Sequence, residues 1–301
     1  MRRLLRIGVI VLAAMAPVSG AMAAELRVFA CEPEWAALAE AIGGERVEAV
    51  SATHAAQDVH YIQARPSLIS QLRRADLLVC TGGGLEVGWL PVLQRRANNP
   101  AVQPGAPGHL LAADVVPMLD VPGAVDRSRG DMHPEGNPHL QLDPRNILQV
   151  AEALAERLAA VDPAGAEAYR AGYAAFTTRW QAAMADWERR AAGLKGLQVV
   201  AHHEDWRYLA EWLGLEIIGK LEPLPGVPPT SAHLSGLLET VEARPVAAIL
   251  RTSYQDGRAG EWLAERAGVP VLVLPHTVSE DVPDLEALFD TLLTRLEGVD
   301  R

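Results

Sequence analysis

The sequence predicts an α/β protein of two lobes, each a parallel sheet flanked by helices, joined by one long backbone helix. Short apolar runs alternate with helical patterns near both ends of the chain. Between these two regions lies a long segment with a helical aromatic pattern and no strand signal. Because alternating strands and helices build parallel sheets through right-handed crossovers, each end of the chain is expected to form its own sheet.

The first 23 residues have the pattern of an export signal. Three arginines lie within the first six residues, an apolar core covers 7–16, and the small-residue sequence AMA ends at Ala23. A helix that spans a bilayer needs about 20 continuous apolar residues, and Pro17 ends this run too early. We expect residues 1–23 to be a cleaved signal peptide, so that the mature protein is exported and does not span the membrane.

The N-terminal lobe is predicted over residues 24–161. Its strand patterns are LRVFA at 26–30, VEAVSA at 47–52 and ADLLVC at 75–80, with helical patterns at 34–42 and 66–74. Loops rich in proline and glycine are expected at 98–108 and 121–138. The three glycines at 82–84 lack the GK[ST] ending of a phosphate-binding loop, so they are interpreted as a tight turn.

The connecting helix is predicted over residues 162–195. Asp162 is expected to cap its N-terminus, with Pro163 at the first helical position. Large side chains then recur at helical spacing, and this stripe is expected to be buried in the core. The stripe consists of Tyr169, Tyr173, Phe176, Trp180, Met184 and Trp187.

The C-terminal lobe is predicted over residues 196–301 and shows the same alternation of strand and helix patterns as the first lobe. Its strand patterns are QVVAH at 198–202, EIIGKL at 216–221, AAIL at 247–250 and VLVL at 271–274. Helical patterns lie between them at 206–213, 231–243 and 260–267. The cleft between the two lobes is therefore the expected ligand site.

The charge of the chain limits its partners. The 301 residues carry a net charge of −11, with 49% hydrophobic residues. This acidic balance argues against nucleic acid and anionic membrane surfaces, which recruit basic patches.

The two cysteines are predicted to form a disulfide. Cys31 and Cys80 each end a predicted strand of the first lobe. The first and third strands are commonly neighbours in a doubly wound sheet, which would bring the two thiols within reach. An exported protein also meets an oxidising compartment.

Three histidines lie where strands pass into loops. His60 follows the second strand, His139 lies in a proline-flanked turn before a helix, and His203 ends the first strand of the second lobe. Ligands bind outside the carboxyl ends of strands in open α/β sheets. We therefore expect these imidazoles, two from one lobe and one from the other, to meet in the cleft.

Three imidazoles at one point predict a Zn²⁺ site. Zinc takes neutral imidazole nitrogens in tetrahedral sites, and imidazole-rich sites favour zinc over manganese or iron. Asp281, in the loop before the last helix, is predicted as the fourth ligand. Glu280, Asp284 and His276 remain alternatives for that position.

Four motifs carry a family resemblance: QDVHYIQARPS, HPEGNPHLQLDP, HHEDWRYLAEWLGLE and LEPLPGVPPTSAHL. The chain resembles the zinc-binding substrate-binding proteins of ABC transporters, a family with manganese-binding relatives. The resemblance implies two lobes with a backbone helix and a metal held by three histidines and a carboxylate. It selects His203 over His202, because the family's ligand precedes an aromatic residue by three positions, here Trp206. It also suggests that Glu222 lies near the cleft.

The resemblance implies high-affinity capture of Zn²⁺ in the periplasm and its delivery to the membrane permease of an ABC importer. Zn²⁺ is then the cargo, and the protein is a monomer without catalytic activity. Many relatives carry a histidine-rich loop, whereas the 121–138 loop here holds only His133. His133 is interpreted as an exposed loop histidine, with inward transfer of metal or capping of the site as the alternatives. A periplasmic zinc metallochaperone is therefore suggested as a further partner.

Three alternatives stay open. Manganese or iron capture would use the same fold, although His203 stands where manganese-binding relatives more often have a carboxylate. A periplasmic zinc-dependent hydrolase is disfavoured because HHEDW is not an HExxH motif and no G-x-S-x-G elbow occurs. A metal-dependent adhesin or storage protein could use identical ligands.

Overall fold

The computed structural model describes residues 25–123, 130 and 132–299. The predicted signal peptide lies outside the described residues. The model has two four-stranded parallel sheets with a long helix between them, which confirms the predicted fold class.

The N-terminal sheet has the strand order β2-β1-β3-β4. Its strands are β1 (Leu26–Ala30), β2 (Val47–Ser51), β3 (Leu77–Cys80) and β4 (His109–Leu111). The helices of this lobe are α1 (Pro33–Gly43), α2 (Pro66–Arg74), α3 (Leu90–Ala97) and α4 (Pro144–Val161). The sequence patterns did not predict β4, because its three residues are too few to show a periodicity.

The disulfide between Cys31 and Cys80 is present, as predicted. β1 pairs directly with β3, so the residue after β1 faces the last residue of β3. The two Cα atoms lie 4.7 Å apart and both side chains are fully buried. The bridge therefore joins neighbouring strands at their carboxyl ends, close to the cleft.

The C-terminal sheet has the order β6-β5-β7-β8, the same arrangement as in the first lobe. Its strands are β5 (Gln198–Ala201), β6 (Glu216–Lys220), β7 (Ala248–Arg251) and β8 (Val271–Val273). Its helices are α6 (Arg207–Leu213), α7 (Ser231–Ala243), α8 (Arg258–Ala267) and α9 (Leu285–Glu297).

The connecting helix is α5 (Ala166–Ala191). Most of its stripe is buried, whereas Tyr173 and Met184 are partly buried. Two indoles connect the helix to both lobes: Trp180 donates to the carbonyl of Pro144 at the start of α4, and Trp187 donates to Asp290 on α9. Asp162 occupies an N-cap position with Pro163 directly after it, but its side chain caps no backbone N–H. A 3₁₀ turn at Pro163–Gly165 precedes the helix, and the Asp162 carboxylate instead accepts hydrogen bonds from Arg46 and Tyr169.

The described helices of the protein do not meet the requirements for a membrane span. Within residues 25–123, 130 and 132–299, none combines the length and the hydropathy that a bilayer crossing requires.

Candidate metal centre

His60, His139 and His203 converge in the cleft between the lobes. Each contributes one ring nitrogen to a group in which all the nitrogens lie within 4.8 Å of one another. The ring centroids of His139 and His203 are 5.6 Å apart, and His60 lies 5.9 Å from each. The structure thus brings the three predicted histidines to one point.

Asp58 fixes the orientation of His60. His60 lies in a 3₁₀ turn, Val59–Tyr61, and Asp58 caps that turn by accepting the backbone N–H of His60 at 3.0 Å. The same carboxylate oxygen lies 2.7 Å from Nδ1 of His60. A carboxylate accepts the Nδ1 proton, which leaves the Nε2 lone pair available for a metal ion.

Glu222 performs the same role for His203. Its Oε2 lies 2.7 Å from Nδ1 of His203 and also accepts the backbone N–H of Gly226 at 2.9 Å. Burial lowers the pKa of the His203 imidazole, but the nearby carboxylates of Asp205 and Glu222 outweigh this effect and raise it to about 9. The suggested position of Glu222 near the cleft is confirmed.

His139 provides a buried nitrogen lone pair. Its backbone N–H donates to Asn137, whose side-chain amide in turn donates to the Glu204 carbonyl of the other lobe. Within the described residues, Nε2 of His139 is buried without a hydrogen-bond partner. Burial holds the pKa of His139 well below its usual value despite the attraction of Asp205, so the ring is neutral. A neutral, orphaned imidazole nitrogen fits a metal ligand.

Asp205 is the carboxylate that lies beside these imidazoles. Its Oδ1 is 3.9 Å from Nε2 of His139, and the residue is 1% exposed. Tyr254 and Gln255 donate to its two oxygens at 3.2 and 2.7 Å. Burial would raise the pKa of Asp205, but the charge on His203 outweighs this effect and holds it well below its usual value, so the group is ionised. Sequence reasoning did not select this residue.

Of the residues considered for the fourth ligand, His276 lines the same cavity as His60 and His139, and the three acidic residues lie outside it. Asp281 and Glu280 are exposed in the short segment bridged by Ser279 and Val282. Asp284 caps α9, accepting the N–H of Ala287 at 2.7 Å. His276 is buried, with its ring 5.1 Å from that of Tyr254. None belongs to the group of converging nitrogens, and the assignment of Asp281 as a ligand stays a prediction.

His133 reaches the site from the 121–138 loop. Its Nε2 lies 3.2 Å from Nε2 of His60, and the ring centroids are 5.3 Å apart. The residue is half-buried, so its interpretation as an exposed loop histidine is wrong. The described residues around His133 pack against His60, which the pattern of residues along the loop does not indicate.

The donor set suits a divalent transition metal. It consists of three imidazole nitrogens with an ionised carboxylate beside them, and no residue of this group is fully exposed. In a tetrahedral zinc site with Zn–N bonds of about 2.0–2.1 Å, the nitrogens are about 3.3 Å apart. Since the ligand nitrogens lie within 4.8 Å of one another, the rings reach this arrangement with at most a small inward movement.

The family assignment rests on a match over nearly all of the described chain. Residues 28–297 match the model of the ZnuA family, described as zinc-uptake complex component A periplasmic. The chain belongs to this family. It is a metal-binding, substrate-binding component of an ABC transporter rather than an enzyme, which rules out the hydrolase alternative.

Individual relatives in this family are distant and differ in their metals. The manganese ABC transporter substrate-binding lipoprotein PsaA of Streptococcus pneumoniae is 21% identical over 284 residues, covering 91% of this chain and 88% of PsaA. The iron ABC transporter substrate-binding lipoprotein MtsA of Streptococcus pyogenes serotype M1 is 22% identical over 254 residues, covering 82% of this chain and 78% of MtsA.

Solved structures of the family share the fold. A crystal structure of ZnuA superposes with a TM-score of 0.77 at 20% sequence identity, covering 92% of this chain and 100% of the other. Like other substrate-binding components, this protein works with a membrane permease and an ATPase. Its transported ligand is a transition metal ion.

Proposed function

We propose that this protein captures Zn²⁺ with high affinity in the periplasm and delivers it to an ABC importer. The convergence of three imidazoles from two lobes carries the proposal. Manganese and ferrous ions favour sites richer in oxygen, whereas imidazole suits zinc. Two of the imidazoles are oriented through Nδ1 by Asp58 and Glu222, which directs their Nε2 atoms to the ion.

We take His60, His139 and His203 as ligands and Asp205 as the carboxylate that balances the charge of the ion. Three neutral imidazoles leave both positive charges of the ion uncompensated, which is costly in a buried cleft. Asp205 is ionised and 3.9 Å from Nε2 of His139, so a small inward movement suffices. Asp281, predicted from sequence, would have to fold into the cleft from an exposed position.

Metal titration of the purified mature protein tests the proposal. Competition with a chromogenic chelator should give one tightly bound Zn²⁺ per chain and much weaker binding of Mn²⁺ and Fe²⁺. Alanine at His60, His139 or His203 should weaken zinc binding by at least about a hundredfold, because each removes a ligand. His54→Ala, at an exposed histidine, is the control. A His139→Ala protein that binds zinc like the parent, or a parent that prefers manganese, contradicts the proposal.

The two candidate carboxylates are separated by a matched pair of variants. Asp205→Asn and Asp281→Asn each remove one negative charge with little change of shape. We expect only Asp205→Asn to weaken zinc binding at pH 8.5. Weakening by Asp281→Asn alone would assign the fourth position to Asp281, with the segment around it moving on binding.

The cellular part of the proposal is tested on the exported protein. The mature chain from a periplasmic extract should begin at Ala24, and gel filtration should give a monomer. If a periplasmic metallochaperone supplies the zinc, transfer from it should be faster than uptake from free solution, and equal rates would reject this partner.

A further inference from the structure

His133 contacts the ring nitrogen of His60 that is proposed to bind the metal ion. Its Nε2 is 3.2 Å from Nε2 of His60, the nitrogen proposed as a ligand. Nδ1 of His60 lies 2.7 Å from Oδ1 of Asp58. In the tautomer that donates this proton to Asp58, the lone pair of His60 is on Nε2, and the hydrogen bond with His133 then has Nε2–H of His133 as its donor.

His133 lies beside the glycine run of the first lobe. A β-carbon at Gly84 would lie 3.4 Å from Nδ1 of His133 and 3.8 Å from Cδ of Pro134. Gly82, Gly83 and Gly84 all have positive φ values, so this turn is shaped by residues without a β-carbon. The His133 ring therefore packs beside the backbone of this turn and against His60.

We propose that His133 caps the metal site by donating its Nε2–H to the lone pair of His60 that the ion needs. This inference rests on the proposed metal site and adds a competing group to it. An incoming ion has to displace the His133 ring before His60 can coordinate. His133 then tunes the affinity downwards and favours release, a role opposite to that of a ligand.

Zinc titration of the full mature chain, with and without His133, measures the competition. Loss of the cap in His133→Ala should tighten zinc binding by about two- to twelvefold, the factor that one neutral hydrogen bond contributes. His54→Ala, which removes an exposed imidazole, should bind like the parent. Affinity equal to the parent overturns the proposal, and weaker binding overturns it in favour of His133 as a ligand.

A second measurement does not depend on zinc binding. Long-range ¹H–¹⁵N NMR of the metal-free parent should show His133 protonated at Nε2 and His60 at Nδ1. In His133→Ala, the Nε2 resonance of His60 should move towards that of a nitrogen without a hydrogen bond. A His133 ring protonated at Nδ1 overturns the proposal. If the parent binds no zinc, the proposed function fails, but the NMR experiment still decides whether the cap exists.

Discussion

Zinc binding should release a proton from His203. Asp205 and Glu222 outweigh burial and raise the pKa of this imidazole to about 9, so at pH 7 it is protonated in the metal-free protein. A metal ion needs the Nε2 lone pair and cannot share it with a proton. The difference of about 2 pH units corresponds to about 2.7 kcal/mol. Zinc affinity at pH 7 should therefore be about a hundredfold below its limiting value at high pH.

Because the pKa of His203 is raised, zinc affinity should increase with pH. Protons compete with the ion below pH 9, so affinity should rise by about tenfold per unit between pH 7 and pH 8.5. His139 contributes no proton, since burial keeps that ring neutral. In the metal-free protein, the raised pKa of His203 contributes to the free energy of unfolding. This stabilisation is fully present below about pH 6.5 and is lost as the pH rises through 9.

Calorimetry in two buffers of different ionisation enthalpy counts the protons released. The parent should release about one proton per ion at pH 7.5. Glu222→Gln removes a carboxylate that holds Nδ1 of His203, so its pKa should fall and the variant should release a smaller fraction of a proton. Zinc affinity that stays constant from pH 7 to pH 8.5 in the parent would refute the reasoning.

Three further predictions concern the scaffold. Burial raises the pKa of Glu34 to about 7, which costs stability as the pH rises from about 4.5 through 7. Thr277 donates a hydrogen bond to Glu34 across the lobes, and the amide oxygen in Glu34→Gln can still accept it. This variant should raise Tm at pH 8 but not at pH 4. Equal changes of Tm at both pH values would contradict this prediction. Replacing Cys31 and Cys80 by alanine opens a cross-link of 49 residues and should lower the free energy of unfolding by about 4 kcal/mol in denaturant titration. Trp180→Ala removes a fully buried indole and should cost about 3–5 kcal/mol in the same assay, whereas a loss below 1 kcal/mol would mean that this ring does not hold α5 in place.

The fold was predictable because local patterns and global packing agree. The run 26–30 is apolar except for the exposed Arg27, and the strand in the structure has the same bounds. The helix at Pro66 also begins where proline at its first position predicts. Asp162 misled the prediction because its role depends on Arg46, a residue far away in sequence that binds its carboxylate.

The three histidines of the site were predictable from their positions in the chain, since His60 and His203 follow predicted strands and His139 lies in a proline-flanked turn before a helix. His60 and His203 lie near the carboxyl ends of β2 and β5, so the fold class alone brings them to the cleft. Asp205 could not be selected from the sequence, because it is held by Tyr254 and Gln255, which lie in another loop. The contact of His133 depends in the same way on how its loop packs against the glycine turn, which no local pattern records.

The proposed ligands are distributed over both lobes, which determines when during folding a metal ion can bind. His60 and His139 precede the connecting helix, and His203 follows it. A folding chain therefore acquires the three imidazoles of the site only after its second lobe has folded against the first. A metal ion bound by all three imidazoles stabilises the folded two-lobed chain and no earlier intermediate.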